Sequence, residues 1–413
     1  MEYVRKANAR YLSWDELRHR PTPAGLTPEE AWAAVKLQRE PMRPSPIVDA
    51  TGRPFRYRLT DRHLEPLHEV DRLAGTEIVT DAAGALGSDV QDRILIDSLM
   101  EEAISTSQIE GAVTTIRRAK EMLRSGQRPL TRSERMVVNG YRTMALIRER
   151  LDEALSVELI HDLQQSITQE TLERPERDSG RFRQTDDVFV VDVRDGDVVF
   201  TPPPATSLEE QIGQLIAFAN TEHRGEEFIH PLVKAAILHF WLAYLHPYAD
   251  GNGRTARALF YWYMLRQRYF LFRFLTVSRV IHRSRMQYYR AFLNSETDDN
   301  DLTYFLVYKV RAVQKAITNL HERLDEIRSE QQRMLALRGA KGLNARQRAI
   351  LDHAIRHPTQ QYTFESHQGA HGISYQTART DLLGLSERGF LTDLRGRPRT
   401  FVPARDLRRR LGL

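Results

Sequence analysis

The sequence predicts a mainly α-helical protein with one β-hairpin set into it and a small helix-and-ribbon unit at its C-terminal end. Three observations predict this. Apolar residues recur at helical spacing from about 92 to 172. The run PLVKAAILHFWLAYL (231–245) is apolar almost all round, which suits a helix at the centre of a bundle. The period turns strand-like in VFVVDVRDGDVVFTPPP (188–204).

Residues 1–85 are punctuated by proline and weakly periodic, with TDAAGALGSD (80–89) reading as a loop. DRILIDSLMEEAISTSQIEG then places Ile96, Leu99, Met100, Ala103 and Ile104 on one helical face, with Gly111 just past the end. Helices follow over 115–125, 132–151 and 156–172. In the hairpin, Asp195-Gly196 is a favoured turn dipeptide and the three prolines stop the second strand. Ser207 followed by Glu210 reads as a capping box for a helix at about 208–220. Pro231 suits the first position of the apolar helix, and a further helix runs from near Gly253 to about Arg268.

From Leu306 the apolar positions Val310, Val313, Ile317, Leu320, Leu324, Ile327 and Met334 follow in steps of four and three, except the last. Such a seam packs a helix on its own domain or against a second copy of the chain, and the spacing leaves both open. After RGAKGLN come two helices, ARQRAILDHAIRHP and SYQTARTDLLGLSERG, the second capped by Ser374 and ended by Gly389. FLTDLRGRPRTFVP then reads as two short strands about an arginine-rich turn, an order that suggests a winged helix. The divisions are 1–85, a core at 86–300, a connecting helix at 301–340 and the winged-helix-like unit at 341–413.

Composition excludes several classes. At 413 residues, with 41% hydrophobic and 28% charged residues, the chain suits a globular protein of two or three domains. No apolar run is long enough to cross a membrane, and MEYVRKANARYLSWDEL lacks the apolar core of a signal peptide. There is no cysteine, hence no disulfide and no thiolate metal site, and the expected location is the cytoplasm. The net charge is +5, yet 341–413 alone carries 13 Lys and Arg against 6 Asp and Glu, a balance of +7, leaving −2 on the rest. The basic character sits in the tail.

The chemistry concentrates in LHPYADGNGRTAR (245–257). Pro247 forces His246 out of the right-handed α region, so the imidazole stands at the mouth of a loop. Gly251 and Gly253 let the backbone approach a ligand closely. The helix that starts there offers unpaired N–H groups to an anion, reinforced by Arg254 and by Arg257 on the same face. Asp250 supplies an oxygen suited to Mg²⁺, which usually binds through one or two carboxylates plus substrate phosphates. Together they suggest phosphoryl or nucleotidyl chemistry. There is no G-x-x-x-x-G-K-[ST] and no H-E-x-x-H, so neither a P-loop nor a zinc hydrolase fits. His239, seven residues before His246, reads as a core histidine.

HPYADGNGRTAR resembles the signature of the Fic family, His-x-Phe-x-Asp/Glu-Gly-Asn-Gly-Arg-x-x-Arg, with Tyr248 in place of the usual Phe; the resemblance covers roughly residues 90–300. It implies a Fic-type helical bundle in which the hairpin is a flap over the active site, aligning a target segment by strand pairing. It implies transfer of AMP from ATP to a Ser, Thr or Tyr hydroxyl of a target protein, with release of pyrophosphate. By position, His246 matches the general base and Asp250 the Mg²⁺ ligand. Gly251, Asn252 and Gly253 match the anion hole, with Asn252 near the α-phosphate. Arg254 and Arg257 match the arginines that hold the distal phosphates. Tyr289, beside Tyr288, falls where the family often places residues near adenine.

TSQIEG (106–111) resembles the family's inhibitory motif, Ser/Thr-x-x-x-Glu-Gly/Asn, through Thr106, Glu110 and Gly111. In that motif the glutamate occupies the fork of the second arginine, here Arg257, and competes with phosphate for it. The favoured expectation is therefore an autoinhibited protein adenylyltransferase. A second keeps the fold and reverses the reaction, with Glu110 positioning water to remove AMP. A third is a DNA-binding regulator with the Fic core as sensor. For 341–413, arginines 395, 397 and 399 suit phosphates, while the mixed charge of RTDLLGLSER offers few base readers, so DNA, protein contact and packing all stay open.

Overall fold

The computed structural model describes residues 2–74, 88–191 and 198–413. It divides into two compact units, Met1–Leu320 and His321–Leu413, and the boundary falls inside one long helix, Thr303–Gly339.

The first unit is a helical bundle built around Pro231–Leu245, referred to below as the central helix. Pro231 stands at its first turn, and nearly every residue from Leu232 to Leu245 is buried. Its apolar circumference needs partners on all sides. The helix Asn252–Arg266, also buried along almost its whole length, packs along it, and the helix Leu208–Asn220 lies on another side. The helix Ser88–Ile109, the clamp helix below, packs on Arg132–Glu149 and Val277–Arg283. Val157–Thr168 packs between Arg132–Glu149 and Asn252–Arg266. His239 is a core histidine, its Nε2 2.9 Å from the Tyr288 hydroxyl and its ring among Phe260, Phe292 and Phe305.

The hairpin forms as two short antiparallel strands, Val190–Val191 and Val198–Phe200. Its expected Asp195-Gly196 turn lies outside the described residues, as does most of the 80–89 stretch. The weakly periodic N-terminal segment belongs to the first unit. Its elements are mostly short: three helices of 4 to 10 residues, the antiparallel pair Arg43–Val48 and Pro54–Tyr57, and then a longer helix, Asp61–Ala74. Arg39, 1% exposed, fastens it, with hydrogen bonds to Leu12 O at 2.6 Å and the Tyr304 hydroxyl at 2.6 Å.

Three local expectations are corrected. Ser207 does not cap its helix: a 3₁₀ turn, Ala205–Ser207, precedes it and turns the Ser207 hydroxyl back onto Pro204 O at 2.8 Å. Ile96 is 43% exposed, although Leu99, Met100, Ala103 and Ile104 of the same face are buried, and Ile94 takes the inward position at that end of the clamp helix. In the long helix, Leu306, Val310, Val313, Ile317 and Leu320 are buried within the first unit, whereas Met334 is 45% exposed.

The second unit has a core of Leu351, Leu382, Leu385, Leu391 and Phe401. Helices Ala345–Arg356 and Tyr375–Glu387 and the antiparallel strands Leu391–Asp393 and Phe401–Pro403 match the reading, with Ser374 capping the second helix. A third helix, Phe364–His371, was not read from the sequence: of its eight mostly polar residues only Phe364 and His367 are buried, so it carries no apolar stripe. Among the described residues no helix is long and apolar enough to cross a membrane.

Candidate active site

The central helix ends on His246, which adopts the left-handed conformation (φ 47°, ψ 54°) while its N–H still donates to Leu242 O at 3.2 Å. This conformation is uncommon for a side-chain-bearing residue, and Pro247 denies it the right-handed alternative. The half-buried ring lies with Nδ1 3.2 Å from Ala243 O. A carbonyl only accepts, so the proton is on Nδ1 and the Nε2 lone pair is free. Burial pulls the imidazole below its ordinary range, and the Ala243 carbonyl and the Glu110 carboxylate only partly oppose this, so His246 is neutral at pH 7.

Asn252 closes the loop that follows: its Oδ1 accepts from Tyr248 N at 2.8 Å and its Nδ2 donates to Tyr248 O at 2.7 Å. The asparagine side chain thereby ties the loop's own backbone together. Gly251 has φ +88°, and a Cβ there would stand 2.8 Å from Thr168 Cγ2, so only glycine fits. The Tyr248 ring is fully buried against Phe182, and its hydroxyl lies 2.9 Å from His161 Nδ1, so the tyrosine has the polar partner a phenylalanine would not need.

The two arginines are buried and held at one edge. Arg254 donates from Nη1 to Ile167 O at 3.1 Å and from Nη2 to Asp250 Oδ1 at 3.2 Å. Arg257 donates from Nε to Thr106 Oγ1 at 2.7 Å, and from Nη2 to Thr106 O at 3.1 Å and Glu110 Oε1 at 2.8 Å. Arg254 Nε and Arg257 Nη1 are buried donors with no acceptor among the described residues. Glu110 sits just past the clamp helix, where Gly111 turns the chain at φ +87°. Burial pushes its carboxyl up, but Arg257 and Arg254 outweigh this and hold it below the usual carboxylate range. The same carboxylate covers Gly253, where a Cβ would collide with Glu110 Oε1.

Residues 154–264 match the Fic/DOC family model. The chain carries a Fic/DOC family domain. A segment of 82 residues is 39% identical to Protein adenylyltransferase Fic of Nematostella vectensis, covering 20% of this chain and 17% of that protein. Over 67 residues the chain is 40% identical to Protein adenylyltransferase fic-1 of Caenorhabditis elegans, covering 16% and 13%. The matches thus span less than a fifth of these curated relatives. A Fic family protein from Desulfovibrio desulfuricans G20 shares the fold, with a TM-score of 0.52 at 20% identity over 84% of this chain and 98% of that one.

Within the Fic domain the fit to a metal is limited. Asp250 is half-exposed, and its oxygens accept from Gly251 N at 2.6 Å, Arg254 and Arg132. No group of three or more His, Cys, Asp or Glu able to hold a metal exists among the described residues. One carboxylate suits Mg²⁺ that arrives with a triphosphate, not an ion caged by protein alone.

Of the tyrosine pair, Tyr288 is buried beside Arg257, whereas Tyr289 is 40% exposed and its hydroxyl receives a hydrogen bond from Arg285 at 3.0 Å. Two residues at the Fic site were missed by sequence reasoning. Arg132 Nη2 reaches Asp250 Oδ2 at 3.0 Å from another helix, and Arg183 grips the carbonyl of His246. Nothing in their local sequence marks either one, since both act through contacts distant along the chain.

Proposed function

We propose that this chain is a protein adenylyltransferase that transfers AMP from ATP to a Ser, Thr or Tyr hydroxyl of a target protein and is held off by its own Glu110. The observation that carries the reading is the pair of buried, acceptor-less donors on Arg254 and Arg257 beside a neutral imidazole with a free Nε2. Buried polar groups without partners call for an explanation, and a substrate phosphate supplies one.

In this reading the triphosphate lies against the N-terminus of Asn252–Arg266, taken by the backbone N–H groups of that first turn and by Arg254 and Arg257. Nε2 of His246 removes the proton of the incoming hydroxyl. The hydroxyl oxygen bonds to the α-phosphorus as the bond to the bridging oxygen of the β-phosphate breaks, and pyrophosphate leaves. Mg²⁺ bound through Asp250 and the phosphates would neutralise part of the charge on the leaving group. Glu110 occupies Arg257 Nη2 and crowds Gly253, so a phosphate competes with a carboxylate already in place.

Support for the reaction class comes from the relatives named protein adenylyltransferases. The test is mass spectrometry for an AMP adduct after incubation with ATP, Mg²⁺ and cell protein. Glu110→Gly should yield adducts that disappear in Glu110→Gly/His246→Ala. Adducts that persist without His246 defeat the reading, and so does AMP removal as the sole activity of the wild type.

We propose in addition that 341–413 is a winged helix. Its order of three helices followed by a two-stranded ribbon, with Tyr362 paired to Phe401 between the first two helices, supports this. Of the three wing arginines, Arg399 is taken by Asp393, with its Nε donating at 2.8 Å.

A further inference from the structure

Arg183 is a buried cation outside the signature, in the segment that leads into the hairpin. Its guanidinium spends its donors almost wholly on backbone carbonyls. Nε donates to His246 O at 3.0 Å, Nη2 to Pro203 O and, at 3.5 Å, to Leu245 O, and Nη1 to Thr185 O at 3.0 Å and Asp186 Oδ1 at 2.8 Å. Its backbone N–H donates to Pro247 O at 2.8 Å. Carbonyls 245, 246 and 247, the end of the central helix and the turn after it, therefore all end on one residue. A helix C-terminus leaves its last carbonyls unpaired and carries partial negative charge, and a buried arginine fork answers both. The same fork binds residues on both sides of the hairpin, Thr185 and Asp186 before it and Pro203 after it. Phe182, next in the chain, packs on Tyr248 with ring centres 5.3 Å apart.

We propose that Arg183 is a positioning residue: it locks the left-handed turn that aims the His246 ring and ties both stems of the hairpin to that turn. The Nδ1–H bond to Ala243 O depends on the turn, because rotating φ of His246 swings the ring away from the preceding helical turn. The hairpin and the imidazole are thus held by one guanidinium, so a segment docked on the hairpin is registered to Nε2. The catalytic consequence rests on the reading of His246 as the base; the geometric claim does not.

The test uses the full chain with ¹⁵N-labelled histidine, the His246 signals being assigned by their loss in His246→Ala. Charged groups near the ring are Glu110 from the clamp segment, Asp250 from the loop and Arg183 itself. Wild type should show one tautomer, protonated on Nδ1. Arg183→Gln should show mixed tautomers and a higher titration midpoint, and Arg183→Lys, which keeps the charge but on a single donor nitrogen, should lie between. In the Glu110→Gly background, Arg183→Gln should lower kcat for AMP transfer about 10- to 100-fold while KM for ATP stays within about twofold. An unchanged tautomer and titration in Arg183→Gln overturns the proposal. So does a joint loss of kcat, ATP affinity and thermal stability in both variants, which would make Arg183 a general fold anchor. If Glu110→Gly itself transfers no AMP, the proposed function fails, and the ring measurement still decides the role of Arg183.

Discussion

Oε1 of Glu110 lies 2.8 Å from Nη2 of Arg257, and the Thr106 hydroxyl accepts from Nε of the same guanidinium at 2.7 Å, so the last turn of the clamp helix and the residue just past it occupy a whole edge of the arginine. The Glu110 side chain is 34% exposed and the arginine side chain only 3%. The arginine is a fixed part of the bundle, and the glutamate is the half that can leave. Replacing Glu110 with Gly should therefore raise AMP transfer by roughly 5- to 150-fold, the range of a coupling of about 1–3 kcal/mol. Labelling of protein from α-³²P-ATP reads this directly, and equal labelling in wild type and variant would remove the inhibitory role.

Gly253 separates two explanations of the crowding at the helix start. A Cβ there would displace Glu110 and would also press on Arg257 Nη1, 3.2 Å away. If the same space takes a phosphate, Gly253→Ala expels the glutamate without freeing the site. Labelling should stay low in Gly253→Ala, and also in Gly253→Ala/Glu110→Gly, with weakened ATP binding in calorimetry. Activation by Gly253→Ala to the level of Glu110→Gly would place the triphosphate elsewhere.

Burial holds His246 below the ordinary histidine range near pH 6.5, so the base is neutral throughout the physiological interval. In Glu110→Gly the rate of transfer should be level through neutral pH and decline only on the acid side of that range. One contribution that raises His246, the Glu110 carboxylate, is absent in this variant, which moves the decline to still lower pH. A rate that climbs steeply between pH 7 and 8 would contradict a histidine base.

The pH dependence of stability has a definite sign. Glu110 is depressed in the folded chain, so its contribution is present above the unfolded carboxylate range and lost as pH falls through its lowered value. Wild type should melt at a higher temperature than Glu110→Gln at pH 7, by an amount reflecting about 1–2 kcal/mol for a partly exposed, charge-assisted bond. The gap should close as the pH drops below about 4. A gap that persists into acid would mean that the carboxylate charge is not what stabilises the contact.

Tyr248→Phe should change little. The ring is packed on Phe182, and only the 2.9 Å hydrogen bond to His161 is lost, a cost of about 0.5–1.5 kcal/mol by thermal melting. AMP transfer in the Glu110→Gly background should stay within about threefold. A collapse of activity would give the hydroxyl a part in the reaction.

The chain's order alone determined what is local. Part of the signature loop is built within 245–257: Pro247 and the two glycines set its backbone and Asn252 ties it to Tyr248 four residues back, so that part of its shape could be read from spacing. The central helix was equally plain, because fifteen nearly unbroken apolar residues leave no other fate. Tertiary structure decided the rest. Ser207 has the letters of a capping box but follows a 3₁₀ turn that redirects its hydroxyl. Tyr288 and Tyr289 are adjacent and alike in sequence, and only packing put the first beside Arg257 and left the second in solvent. Arg183 and Arg132 look like any surface arginines until helix ends far along the chain bring His246 O and Asp250 to them. The physical reason is one of range: backbone conformation and helix ends are set by neighbours, which a sequence displays. A side chain's partner is set by which elements share a core, and burial that is cooperative over the whole bundle leaves no mark at the position itself.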